Sequence, residues 1–396
     1  MSEFTNTRKS RIELLNRYMI GIVEGIHGAK LVEELGLKAD NFIPTDVLSA
    51  FDLLFESKTD LKEMKKASNK LFNILFESLR AYPSISPKKD SFIYYLMRDN
   101  AQVNSQLKDL KPLIRQINQK TEHRLLETLN NRFEKLAEFT KHYTVKEHIL
   151  FPVLESNWKE YDCLKLMWSF HDDIRQNLKK IIALLGSENF ELKTFNTLAG
   201  ALFFNISTVI FREEKILFPI MMESLDSDLM EKMRTELNEM KLPFVEIRRT
   251  SHSLEKASSF SEGMIQLPTG EITLDQVELI FNHLPVDITF VDENDTVRYF
   301  STPKHRIFPR TASIIGRKVQ NCHPPESVDV VNRIVASFKK GEKDRASFWL
   351  HLGPKFVLIQ YFALRDRDQN YRGVLEVSQE ISEIQELRGD RKLLDW

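Results

Sequence analysis

The stretch KEHILFP at 146–152 returns 67 residues later as EEKILFP at 213–219. Glu147, Ile149, Leu150, Phe151 and Pro152 match Glu214, Ile216, Leu217, Phe218 and Pro219, five positions of seven. An apolar face that ends in proline twice, at one spacing, reads as a duplicated helix end. Around it, apolar residues recur three and four apart, which predicts long helices over roughly 92–120, 122–157, 162–186 and 191–239. Four such helices with short links predict an up-down bundle. Upstream, Ile12, Leu15, Tyr18 and Met19, then Leu48, Phe51, Leu54 and Phe55, predict further helices within 8–82.

Downstream the texture changes. Ser251, Ser253, Ser258, Ser259 and Ser261 beside Pro243, Gly263, Pro268 and Gly270 read as a linker over 241–270. Thr273 and Gln276 form a capping-box signature for a short helix ending near His283. Strand-like runs follow at 287–291, 297–301, 346–352, 356–364 and 373–379, a small antiparallel sheet with intervening helices. Ile381, Ile384, Leu387 and Leu394 predict a closing amphipathic helix.

With 396 residues the chain needs several domains. The expected division is a helical domain at 1–88, the bundle at 92–240, the linker, a sheet domain at 272–385 and a helical tail at 386–396. The fold class is therefore multidomain, α plus α/β. Lys and Arg number 56 against 57 Asp and Glu, a net charge of −1, so no positive field draws the chain to nucleic acid. The polar start and the absence of a long uninterrupted apolar run predict a cytoplasmic protein with no membrane partner. Two cysteines, Cys163 and Cys322, exclude a disulfide framework and a four-thiolate metal site. Thirteen glycines leave little room for a dinucleotide or phosphate loop, and neither such a loop nor a Ser-His-Asp arrangement is evident.

KHYTVKEHILFPVLE at 141–155, MWSFHDDIR at 167–175 and FREEKILFP at 211–219 resemble a hemerythrin-type (HHE cation-binding) bundle. The resemblance implies iron held inside the bundle by His and carboxylate side chains. Carried over by position, it implies His142, His171 and Glu213 as metal ligands. The pattern is incomplete. Four residues after His142 stands Lys146 where a Glu belongs, four after His171 stands Arg175, and four before Glu213 stands Val209. On a regular helix Glu147 lies about 140° round from His142 and is a poor co-ligand. Lys146 and Arg175 have no lone pair to offer when charged. Two readings follow: a reduced metal site, or a salt-bridge network of Lys146, Arg175 and Glu213 in its place.

LPVDITFVDENDTVRYFS at 284–301, then GVLEVSQEISEI at 373–384, resembles a PAS domain. That implies a five-stranded antiparallel sheet with helices over a ligand pocket. By strand alternation the expected pocket residues are Phe290, Phe300, Phe308, Trp349 and Tyr361. Cys322 and His323 in NCHPP join them, as axial ligands for haem or simply as a turn into the next helix. The whole order, ending in RKLLDW, resembles a bacterial family whose first domain has no assigned role, although histidines expected near 65–75 and 102 are missing. The expected function is a sensor or regulatory protein that signals through a partner protein, with a homodimer through the PAS domain and closing helix. The alternatives are a non-haem iron redox protein acting on nitric oxide, oxygen or peroxide, and a metal-free interaction scaffold.

Overall fold

The computed structural model describes residues 2–38, 42–57, 59–83, 86–159, 161–248, 264–267 and 269–389. The chain forms two compact units, 1–253 and 254–396.

Four helices open the first unit: α1 (Ser2–Val23), α2 (Gly28–Leu35), α3 (Pro44–Glu56) and α4 (Leu61–Ala81). Pro44 starts α3 where its missing N–H costs nothing, and the Asp60 carboxylate accepts from Lys62 N at 2.9 Å to cap α4. Then come α5 (Phe92–Gln119), α6 (His123–Ala137), α7 (Thr140–Val145), α8 (Phe151–Asn157), α9 (Cys163–Leu185), α10 (Leu192–Arg212), α11 (Phe218–Ser224) and α12 (Ser227–Glu236). The segments 123–157 and 192–224 each act as one long helix, so α5, α6–α8, α9 and α10–α11 make the four-helix set, although the fourth, expected over 191–239, ends at Ser224 and α12 is a separate helix. They close a ring in which α5 packs on α6, α6 on α9, α9 on α10 and α10 on α5. The run 192–224 is long and apolar enough to cross a membrane by length and composition, but here it is the fourth member of that ring.

The expected boundary near residue 88 falls inside this unit. One apolar core runs from Leu15 to Leu242. Helices α3 and α4 pack on α9 and on the turn at 213–217, because the faces carrying Phe51, Leu54, Leu71 and Leu75 would otherwise stay in water.

The repeat has a structural cause. Lys146–Leu150 and Glu213–Leu217 are single π-turns, in which Phe151 N–H donates to Lys146 O and Phe218 N–H to Glu213 O. Pro152 and Pro219 lack an N–H, and their rings would press on the carbonyl four residues back in a regular α-helix. One extra residue in the preceding turn relieves that clash and rotates everything after it.

In the second unit β1 (Met264–Leu267), inside the expected linker, and β2 (Gly270–Thr273), at its end, form a hairpin. Ser251, Ser253, Ser258, Ser259 and Ser261 lie outside the described residues. The Thr273–Gln276 capping box holds as expected and starts α13 (Leu274–His283), with bonds of 2.8 and 3.2 Å. The five-stranded sheet contains β3 (Asp287–Asp292), β4 (Val297–Phe300), β5 (Arg345–Leu352), β6 (Lys355–Arg365) and β7 (Tyr371–Glu380), ordered β4-β3-β7-β6-β5 and antiparallel throughout. The β3–β4 turn is fixed by Asp292, whose carboxylate accepts from the N–H groups of Asn294 and Thr296 at 2.9 Å. Helix α14 (Pro325–Lys339) crosses before β5, and α15 (Ser382–Glu386) is all that is helical after β7 among the described residues. The closing helix expected from Ile381, Ile384, Leu387 and Leu394 thus stops at Glu386 among the described residues, and residues 390–396 lie outside them.

Gly373 sits opposite Asp292 in the central strand pair with φ +136°, and a Cβ there would meet Val291 O at 2.1 Å. Gly373→Ala is expected to cost about 2–3 kcal/mol, from the strained backbone conformation and the clash. Thermal unfolding followed by near-ultraviolet circular dichroism measures it.

Candidate functional site

The two π-turns bring equivalent positions of the repeat face to face at the centre of the bundle. Lys146 Nζ donates to Glu213 Oε1, and the pair is fully buried. Asn100 on α5 donates to Glu213 Oε2 at 3.1 Å and to Glu214 Oε1 at 3.4 Å. His142, also buried, places Nδ1 at 2.9 Å from Asp99 Oδ2 and Nε2 at 3.8 Å from Glu213 Oε2. The carboxylate fixes the first contact as Nδ1–H donating, and the second distance is too long for a hydrogen bond.

On the neighbouring helix His171 places Nδ1 at 2.8 Å from Glu147 Oε1. Arg175 grips the same carboxylate with two bonds, at 2.9 and 2.7 Å, and also reaches Asp172 at 3.0 Å. Glu147 is therefore buried against α9, held there by His171 and Arg175. Tyr143 separates the two halves: its ring stacks on His171 at 4.2 Å and takes the Lys146 ammonium over its face at 4.6 Å.

Sequence reasoning brought His142, His171, Glu213, Lys146 and Arg175 forward, and the structure gathers all five. It missed Asp99 and Tyr143 and set Glu147 aside. Asp99 was visible in principle as a carboxylate on the buried stripe of α5, between Leu96 and Val103.

The electrostatics follow from burial. Burial pushes the Glu213 carboxyl up, but the Lys146 charge and the His142 contact outweigh it and hold the group below the ordinary carboxylate range. Burial lowers the Lys146 ammonium and Glu213 pulls it back up, leaving it below its ordinary value. Burial, then the charges of Lys146 and Arg175, drives His171 well below 6.5, so the ring is neutral. Glu214 is raised, first by burial and then by the charge of Glu213.

Two features bear on metal. The Nε2 atoms of His142 and His171 are buried without a hydrogen-bond partner, and each ring is anchored through Nδ1 by a carboxylate, the arrangement that orients a metal-binding histidine. Against that, the ammonium of Lys146 occupies Glu213, Arg175 occupies Glu147, and no group of three His, Cys, Asp or Glu side chains converges among the described residues. The residues present do not fit a di-iron centre.

The second unit holds a cavity of about 30 Å³, lined by Val291, His323, Val335, Tyr361, Val374 and Glu376 among others. That is room for about two water molecules. A haem would require the walls to part. Tyr361 and His323 line the cavity, and Phe300 and Cys322 pack on the small core beside it. Phe290 and Trp349 lie on the opposite face: Phe290 pairs with Leu375, one residue out of phase with Val291 and Val374, and Trp349 is 66% exposed on the edge strand β5. Alternation chose the pocket face at Phe300 and Tyr361 and was one residue out of step at Phe290 and Trp349. Phe308 lies in the loop after β4, its N–H on the Asp287 carboxylate at 3.2 Å. His323 Nδ1–H donates to Val319 O at 2.8 Å; burial lowers its pKa and that bond only partly restores it. Glu376 faces Arg310 at 3.9 Å. Burial raises the Tyr361 hydroxyl, and the charge of Glu376 adds to it.

Comparison with known proteins agrees with this architecture. A hemerythrin HHE cation binding domain model matches 91–221, and a PAS domain model matches 277–382. No curated protein matches the chain. Among solved structures the chain is similar to a C-terminal domain from Streptococcus mutans, at 34% identity over 32% of this chain and 98% of that one, with a TM-score of 0.31. It is also similar to a sensory box sensor histidine kinase from Vibrio cholerae, at 12% identity over 26% and 88% of the two chains and a TM-score of 0.21. A PAS domain from Colwellia psychrerythraea matches at 13% identity, over 28% and 98%, with a TM-score of 0.22. Residues 91–221 thus carry a hemerythrin-like HHE domain and residues 277–382 a PAS domain, joined in one chain behind four amino-terminal helices.

Proposed function

We propose that this protein is a cytoplasmic sensor or regulator, in which the PAS cavity takes a small uncoloured ligand and a protein partner, or a second copy of the chain, receives the signal. The observation that carries the reading is the cavity itself: apolar walls with three polar groups, His323, Tyr361 and Glu376, at one small buried space. Exposed apolar side chains on β5 and α13, including Phe348, Trp349, Leu279 and Ile280, support a partner surface on the PAS unit. In this reading the bundle is a rigid relay held by charges.

Native mass spectrometry of the full chain tests it. The expected result is an added small mass that disappears in Val335→Phe, which fills the cavity. A wild-type mass equal to that of the bare polypeptide, with no ligand recovered on extraction, would overturn it.

A second reading, non-haem iron redox chemistry, has the two unpartnered Nε2 atoms in its favour. It requires Lys146 to leave Glu213. Under that reading, replacing His142 and His171 together by alanine abolishes iron uptake; unchanged uptake would remove it.

A further inference from the structure

Residues 241–248 have no regular secondary structure and read in sequence as the start of a linker, yet they lie docked on the bundle. Leu242 is buried in the apolar core, and Phe244, Val245 and Ile247 pack against it. Those four side chains give the segment a reason to stay out of water. Polar contacts fix it at two points. Phe244 N–H donates to Asp99 Oδ1 at 3.0 Å. Further on, Arg248 N–H donates to Tyr95 Oη at 3.0 Å, and the Tyr95 hydroxyl donates to Asp90 Oδ1 at 2.9 Å. Buried Arg234 closes that end: Nη2 donates to Arg248 O, Nε donates to Asp90 O at 2.8 Å, and the guanidinium lies over the Tyr95 ring at 4.9 Å. Tyr95 and Asp99 share one face of α5, so the segment runs back along that helix.

The point at Phe244 meets the centre of the bundle through two shared neighbours. Asp99 is fully buried, and its other oxygen takes Nδ1–H of His142 at 2.9 Å. Phe139, between α6 and α7, stacks on the His142 ring at 4.7 Å and on the Phe244 ring at 6.3 Å, the latter within 4° of parallel. Among the described residues no Lys or Arg pairs with Asp99, and a buried carboxylate in that position depends on each of its donors. Phe139 is buried too, and a close-packed interior gives it no room to move alone. A turn of His142 therefore displaces both groups that hold Phe244, and release of Phe244 loosens both groups that hold His142.

We propose that 242–248 is a latch set by the bundle centre: it docks when His142 stands against Asp99 and Phe139 as it does here, and it lifts when that ring is moved. The chain passes from the latch to the boundary between the two units, so docking fixes where the connection to the second unit begins. The inference rests on the relay role given to the bundle above and needs no ligand in the PAS cavity, so the latch and the PAS ligand can fail separately.

Hydrogen exchange of the full chain, followed by mass spectrometry, tests it. Peptides over 242–248 are expected to be protected in the wild type. His142→Leu keeps the bulk and removes the ring and its N–H. It is expected to speed exchange over 242–248 by about tenfold beyond any change over α9, the effect of one lost hydrogen bond to a charged group on a local opening. Linkage requires the reverse effect as well. In Phe244→Ala, at a half-buried position, the proton signal of His142 Nδ1–H in NMR is expected to shift and to exchange faster with solvent, and this arm stands if His142→Leu fails to fold. Unprotected 242–248 in the wild type, equal changes over 242–248 and α9 in His142→Leu, or an unaltered His142 signal in Phe244→Ala would each overturn the latch.

Discussion

Lys146→Met is expected to destabilise the helical unit by about 3–5 kcal/mol, because it leaves the Glu213 carboxylate buried without its cation. At about 2–4 °C per kcal/mol for a unit of this size, the midpoint should fall by on the order of 10 °C. Glu213→Gln should cost a similar amount, since it strands the ammonium of Lys146. The double variant Lys146→Met/Glu213→Gln should cost clearly less than the two singles added together, with a coupling of up to about 3 kcal/mol. Additive losses would mean that the two side chains do not depend on each other, contrary to the geometry. Chemical denaturation of all four proteins closes the cycle.

Acid should undo the same centre in two stages. The folded pKa of His171 lies below its ordinary 6.5, so the neutral ring contributes stability that is complete above about 6.5 and is lost as pH falls below it. The folded pKa of Glu213 lies below its ordinary 4.5, so its ionised form contributes stability present above 4.5 and lost as pH falls further. Both act in one direction. Glu214, whose folded pKa is raised, acts in the other and offsets part of the loss. Urea midpoints at pH 7.5, 6 and 5 should therefore decline steadily, with a steeper fall below 4.5. His171→Gln should flatten the upper stage and leave the lower one intact. A midpoint unchanged between pH 7.5 and 5 would contradict a buried neutral His171.

The architecture was legible because it rests on periodicity. Helix spans and all five strands of the large sheet followed from apolar spacing, and the Thr273–Gln276 cap from a local motif. The single core from Leu15 to Leu242 was not legible, since nothing in the Pro83–Pro87 stretch says whether the helices on either side share a face. The centre of the bundle was half legible. The repeat flagged the two turns, but spacing along one helix does not show that Glu147 meets His171 and Arg175 of α9. The physical clue was Pro152 and Pro219, read as helix ends when they mark where a residue is inserted. In the PAS unit alternation located a pocket wall, yet Phe290 and Trp349 fell on the other face, because period two gives two equal choices of phase and only the partner strand selects one.

Lys146, paired with Glu213, puts an ammonium at the centre of a bundle whose family model is described as cation binding. Iron content by mass spectrometry, with an absorbance spectrum, on full-length protein purified anaerobically from iron-replete cells tests it most directly. The account predicts far less than one iron per chain and no charge-transfer band, and it predicts higher iron in Lys146→Glu, which turns the position four after His142 back into a carboxylate. Near-stoichiometric iron in the wild-type protein would contradict it.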